Sequence, residues 1–216
     1  MFKKYLLPLL FLLITANSVS AQTDWKLKAN SDGIKVYSSE VAGSKFKALR
    51  VECNFQATLA QIVTVLLDVK TCTEWVYHTK SITLLKQPSP SEIYYYSEVS
   101  LPWPTSNRDF VAHLMVSQDA ENKVVTVDGP AVNGLVPLKD GIVRVTNSKG
   151  KWVITPLGKD EIKVEYTLHV DPAGSLPAWL VNMVASEGPT QSFKKLKLQL
   201  KKPEYKNANL AFIKNY

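Results

Sequence analysis

Between residues 81 and 170 the chain runs through one alternating segment after another, and a single long amphipathic helix follows them. In Glu161 to Val170 the apolar Ile162, Val164, Tyr166, Leu168 and Val170 fall on one side, while Lys163, Glu165, Thr167 and His169 fall on the other. A period of two residues puts these sets on opposite faces of a strand, one dry and one wet. The same reading applies to Ser81–Gln87 and Ile93–Leu101 across Pro88-Ser-Pro90, and to Arg108–Ser117 and Lys123–Asp128 across Asp119–Asn122. Gly141–Thr146 and Lys151–Pro156 follow, with Ser148-Lys-Gly150 read as the turn between them. Strands joined by such short turns make an antiparallel meander, and its apolar face must be covered.

The segments before and after the meander supply the cover. Gly33–Val41 and Phe46–Phe55 predict a hairpin through Ala42-Gly-Ser44. Thr58 and Gln61 stand at capping-box spacing and open a helix whose Leu59, Ile62, Val63, Leu66 and Leu67 share one face. A second short helix is expected around Thr73–His78. The last helix is predicted from about Leu176, with Ser175 as N-cap and Pro177 in the first turn. Leu176, Trp179, Leu180, Met183 and Val184 form its apolar stripe, Gly188-Pro189 predicts a kink or break, and Phe193, Leu196 and Leu200 resume the stripe. No repeat or low-complexity linker divides residues 25–202, so the expectation is one α+β domain.

The first residues read as an export signal. Lys3 and Lys4 precede an apolar run from Leu6 to Ile14, too short to span a bilayer comfortably, and Val19-Ser-Ala21 fits a cleavage site. The expected division is a signal peptide over 1–21, a domain over 22–202 and a tail over 203–216, in a periplasmic or secreted protein. Without Lys3 and Lys4 the basic residues fall from 26 to 24 against 19 acids, a net charge of +5. Lys194, Lys195, Lys197, Lys201, Lys202 and Lys206 carry much of it, either as a surface for anionic headgroups or as an ordinary solvated helix face and frayed end. No basic stripe interleaves with aromatics, which argues against nucleic acid as a partner. Cys53 and Cys72 allow a disulfide in an oxidising compartment, whereas the placement of Cys53 between Val51 and Phe55 suits a buried free thiol.

Enzymatic motifs are missing. His78, His113 and His169 have no metal-ligand spacing, His113 and His169 fall on wet strand faces, and the chain has no C-x-x-C, H-E-x-x-H, G-x-S-x-G or glycine-rich phosphate cradle. No cofactor is implied. Ile93, Tyr95, Ser97 and Val99 form one inward set, and Phe110, Ala112, Leu114 and Val116 form the next. Alternation by itself fits a filled core and a ligand cavity equally well.

Leu101-Pro-Trp-Pro-Thr-Ser-Asn-Arg-Asp-Phe110, followed by Asp171-Pro-Ala-Gly-Ser-Leu-Pro-Ala-Trp-Leu-Val-Asn182, resembles the StAR-related lipid-transfer (START) family over roughly Trp25 to Lys202. The first motif is similar above all to the phosphatidylcholine-transfer branch. The resemblance implies the helix-grip fold, a curved antiparallel sheet wrapped around a long C-terminal helix with a lipid-sized cavity. It also implies a monomeric, non-enzymatic carrier that touches membranes transiently and binds a lipid or fatty-acid-like ligand. The residues it places around that ligand are Tyr95, Ser97, Val99, Arg108, Phe110, Ala112, Leu114, Tyr166, Trp179, Leu180 and Met183. Arg108 has two roles open to it, binding a lipid phosphate or carboxylate, or tying down the Pro102–Pro104 turn. Where sterol-binding relatives carry an arginine, six residues after the arginine of the Arg-Asp-Phe motif, this chain has Leu114, which disfavours a sterol. Trp103 and the Gly129–Pro137 loop, with Val132, Leu135 and Val136, are candidate rim elements, serving as gate, membrane contact or packing for the last helix. Two other readings remain. One is a polyketide-cyclase-type enzyme whose inward polar groups would be Tyr95, Ser97, Tyr166, Arg108 and Arg144; the other is an interaction domain with a filled core.

Overall fold

The computed structural model describes residues 24–216, apart from the side chains of Ala178, Trp179 and residues 182–186. The signal-peptide reading of residues 1–21 therefore lies outside the described residues. The strands are β1 (Lys26–Ser31), β2 (Ile34–Ser39), β3 (Ala48–Phe55), β4 (Thr79–Ser89), β5 (Glu92–Val99), β6 (Arg108–Gln118), β7 (Val125–Pro130), β8 (Val143–Arg144), β9 (Asn147–Gly158) and β10 (Glu161–Asp171). The helices are α1 (Leu59–Leu67), α2 (Cys72–Trp75), α3 (Ala178–Gln199) and α4 (Pro203–Lys206), with a 3₁₀ turn over Val69–Thr71.

One sheet runs β1-β2-β3-β10-β9-β7-β6-β5-β4, antiparallel throughout, and β8 joins β6 in parallel. Pairing β10 with both β3 and β9 brings the first hairpin against the end of the meander, so the sheet curves around α3. Its inner face is densely filled at one end. Val125, Ile154, Val164 and Cys53 form a row there, none more than 3% exposed, closed over by α1 and by Phe193, Leu196 and Leu200 of α3. This places the resumed stripe of α3 where its spacing predicted.

Local chemistry explains the element ends. Thr58 Oγ1 accepts from Gln61 N at 3.2 Å and Gln61 Oε1 accepts from Thr58 N at 2.8 Å, so the capping box that opens α1 is complete. Helix α3 begins at Ala178 with Pro177 rather than Ser175 at its N-cap, and it runs through Gly188-Pro189 instead of ending there. Gly188 is needed for packing: a Cβ at that position would stand 3.3 Å from the Tyr77 ring. Ser192 Oγ, accepting from Tyr77 N at 3.0 Å, fixes the same joint.

Several expectations are corrected. Strand β1 was not foreseen; its Leu27 is 55% exposed, so it lacks the buried alternation that marks a strand. The predicted turn at Ser148-Lys-Gly150 is instead the start of β9, where Gly150 pairs with Gly129 of β7. Both glycines stand in strands because neighbours crowd them: a Cβ on Gly129 would meet Leu114 Cδ2 at 2.8 Å, and one on Gly150 the Tyr166 hydroxyl at 3.2 Å. Gly141–Thr146 shrinks to the two residues of β8, and the helix expected over Thr73–His78 lies earlier, in the 3₁₀ turn and α2. Residues beyond 202 are not a loose end, since Tyr205 and Ile213 are buried in the core. Tyr205 donates to Asp68 Oδ2 at 2.7 Å and accepts from Gln199 Nε2 at 3.2 Å, which fastens α4 to the turn after α1. Cys53 and Cys72 are both buried free thiols.

Candidate ligand-binding site

Along each inward-facing row the packing loosens toward the other end of the sheet. On β10, Ile162 and Val164 are sealed while Tyr166, Leu168 and Val170 are half-buried; on β9, Ile154 is sealed and Trp152 half-buried. On β5, Tyr95 and Val99 are half-buried, and on β6 Phe110 is, whereas Ile93, Ser97, Ala112 and Leu114 are buried between them. The antiparallel register sets all these loosened positions at the end from which β10 leads into α3. These inward side chains keep accessible surface where the sealed end keeps almost none, which makes this end of the inner face the candidate hollow for a ligand.

An aromatic layer forms the floor. The Trp152 ring lies 4.3 Å from Tyr166 and stacks on Phe193 of α3 at 5.5 Å, while Trp75 stands edge-on to it at 6.4 Å. Just above this layer Gly129 and Gly150 make room for their neighbours, with Leu114 lying over Gly129 and the Tyr166 hydroxyl over Gly150. Tyr95 meets Phe110 edge-to-face at 6.0 Å on the wall. Burial pushes the Tyr166 phenol up to about 12, and burial together with the nearby Cys72 and Tyr166 pushes Tyr95 higher still. Both phenols are therefore neutral at any physiological pH.

Among the sequence-predicted residues, the structure gathers Tyr95, Ser97, Val99, Phe110, Ala112, Leu114 and Tyr166 on this one inner face. Leu180 is fully buried on α3, while the side chains of Trp179 and Met183 lie outside those described. Arg108 sits at the rim. Its Nη1 donates to Ser106 O at 2.6 Å, Nη2 to Ala173 O at 3.1 Å and Nε to Pro172 O at 3.2 Å. It ties the start of β6 to the turn that launches α3 and, through Ser106, to the loop that follows Pro102–Pro104. Burial lowers its pKa, as expected for a cation solvated by neutral carbonyls. Trp75 and Trp152 were not singled out from the sequence; the alternation of Trp152 with Ile154 and Pro156 was the signal for the second.

Arg144 does not face inward. It forms a bidentate pair with Asp109 at 2.6 and 2.9 Å on the outer side, and it also donates to Val136 O and Pro137 O at 3.0 Å each. The loop from Ala131 to Ile142 is thereby packed on the free edge of β6, with Val132 N donating to Val111 O at 2.8 Å. The 100–107 turn lies beside it, because Asn107 accepts from Leu101 N through Oδ1 and from Val143 N through its carbonyl. Trp103, Leu138 and Leu135 project from these two loops at 90, 77 and 50% exposure. Of the basic residues in the tail, Lys194 pairs with Asp32 and Lys202 with Glu74, which leaves less free charge than the sequence offered. His113 and His169 are on outer faces but not fully solvated: His113 stacks on Tyr94 at 3.9 Å and lies 2.6 Å from Glu92, and His169 contacts Ser44.

The START domain profile matches residues 14–205. An uncharacterized protein of Pseudomonas aeruginosa is 34% identical over 174 residues, spanning 81% of this chain and 85% of its own. The phosphatidylcholine transfer protein of Homo sapiens is 28% identical over 174 residues, 78% of this chain and 79% of that one. A solved fragment of a STAR-related lipid transfer protein from Xanthomonas axonopodis superposes with a TM-score of 0.75 at 36% identity, covering 82% of this chain and 99% of the fragment. Human StAR-related lipid transfer protein 5 has the same fold, with a TM-score of 0.72 at 20% identity over 82% of this chain and 86% of that one. With the sheet, the covering helix and both sequence motifs in place, this chain belongs to the START domain family.

Proposed function

We propose that this protein binds a lipid or a similar apolar ligand in the hollow beneath α3 and carries it between membranes, without catalysing a reaction on it. The observation that carries the reading is the end-to-end change on the inner face, from the sealed row at Ile154 and Val164 to the half-buried Tyr95, Phe110, Trp152 and Tyr166. An acyl chain leaving a bilayer loses about 0.8 kcal/mol for each methylene exposed to water, so a carrier needs a continuous dry enclosure. The relatives named for lipid transfer support the same reading.

The mouth of the hollow is proposed as the membrane contact. Trp103, Leu135 and Leu138 stand exposed on adjacent loops, and an indole is well suited to the boundary between headgroups and acyl chains. We further propose that the protein acts as a monomer outside the cytoplasm, with residues 1–21 as its export signal. Native mass spectrometry of the purified protein, before and after incubation with lipid-extract vesicles, tests the binding step. A lipid adduct is expected, and fluorescent lipid should then move from donor to acceptor vesicles. A ligand-free mass throughout would overturn the carrier reading and favour a filled interior.

A further inference from the structure

Among the described residues, the strand faces around the hollow carry hydrogen-bonding groups and, apart from Arg108, no charge. Its polar side chains on the strands are Tyr95, Tyr166, Ser97 and Ser148, and the phenol oxygens of Tyr95 and Tyr166 make no hydrogen bond with the described residues. Trp75 Nε1, sealed beneath Trp152, is a buried donor without a partner among the described residues. No Asp, Glu, Lys or Arg lies on the inner face of β5, β6, β7, β9 or β10 except Arg108. Arg108 stands at the rim, 6% exposed, with each of its three nitrogens already bound to a backbone carbonyl. The first nine residues of α3, 178–186, contain no ionisable side chain in sequence.

Ring faces for a cation are scarce as well. Trp152 spends its surface on Phe193 and Tyr166, and Tyr95 meets Phe110 edge-to-face. A phosphate or ammonium brought into this space would give up its hydration with no opposite charge to replace it. A carbonyl oxygen would lose little, because the two phenol donors wait for an acceptor.

We propose that the enclosed part of the ligand is uncharged and bears acceptor oxygens, as in an acylglycerol or a long-chain quinone, and that Tyr95 and Tyr166 donate hydrogen bonds to it. The inference rests on the carrier reading and names its ligand class. Because burial keeps both phenols protonated, this recognition is constant across physiological pH.

The test is equilibrium binding of the purified protein to diacylglycerol, phosphatidylcholine, phosphatidylglycerol and fatty acid carrying the same fluorescent acyl chain, with a labelled quinone as a further arm. Diacylglycerol or the quinone should bind at least tenfold more tightly than either phospholipid or the fatty acid. Tyr95→Phe and Tyr166→Phe should each weaken that binding about 3- to 10-fold, the range of one hydrogen bond, and leave uptake of a labelled plain hydrocarbon unchanged. Loss of hydrocarbon uptake in these variants would mark the tyrosines as packing residues only and sink their assigned role. Equal or tighter phospholipid binding would overturn the inference while the carrier reading stands. No binding in any arm would overturn both.

Discussion

Arg108 offers the sharpest test of how the hollow is held closed. Replacing it by alanine removes three charge-assisted hydrogen bonds, to Ser106 O, Pro172 O and Ala173 O, from a side chain only 6% exposed. At about 1.5–3 kcal/mol for each charge-assisted bond, a plain sum reaches ~5–9 kcal/mol. Two effects reduce it. Pro172 and Ala173 lie at the surface, so water can take over their carbonyls, and the cost of burying an unpaired cation, visible in the lowered pKa of Arg108, disappears with the side chain. The expected net loss is ~2–4 kcal/mol. Lysine at the same position keeps the charge but presents one ammonium where a planar fork reaches three acceptors, and should recover less than half of it. Urea unfolding measures the loss, and amide exchange across residues 172–180 localises it. Exchange there should quicken more than in β9 or β10, because Arg108 connects β6 to the start of α3. An alanine variant with the wild-type midpoint and unchanged exchange would refute the view that the arginine anchors the covering helix.

Three further outcomes are expected. Burial works against ionisation of Asp109 more than any single neighbour favours it, yet the hydrogen bonds and charge of Arg144, with Tyr96 and Lys139 beside them, together hold the carboxyl below the ordinary range, so this cluster contributes stability above about pH 4 and loses it as pH falls through the lower folded value. Limited proteolysis of residues 131–142 should therefore be unchanged from pH 8 to pH 5. Arg144→Ala, which strands a carboxylate 1% exposed, should cost about 3–5 kcal/mol and open this loop at neutral pH, and an intact loop in that variant would contradict the latch. Trp103→Ala should lower binding to lipid vesicles about 10-fold with no change in the unfolding midpoint, since the indole is 90% exposed in the free protein; undiminished vesicle binding would remove the turn from the membrane contact. Burial raises the Cys72 thiol to about 12 and raises Cys53 too, so neither should be alkylated at pH 8 until the protein is unfolded, and rapid native labelling or a disulfide by mass would be inconsistent with two sealed thiols.

Some of this protein was written into local sequence. The capping box at Thr58 and Gln61, the alternation of Glu161–Val170 and the stripe resumed at Phe193, Leu196 and Leu200 depend on neighbours a few residues away, and each formed as read. Together with the Arg-Asp-Phe and Asp-Pro-Ala-Gly motifs they were enough to reach the helix-grip fold and the inner face with Tyr95, Phe110 and Tyr166. Other features were decided by residues distant in sequence. Gly150 looked like a turn because glycine usually breaks a strand; only the Tyr166 hydroxyl lying over it shows why a strand needs a glycine there. Ser175 was the better cap by residue type, yet Arg108, 64 residues before Pro172, holds the preceding turn, and the helix starts after Pro177. Arg144 was legible as a polar residue near a strand, but its direction depended on Asp109, whose carboxylate took both of its donors on the outer side. Whether the inner face encloses a hollow was also beyond local pattern. Alternation says which side chains face inward, and how much space remains between them depends on where the sheet, α2 and α3 meet.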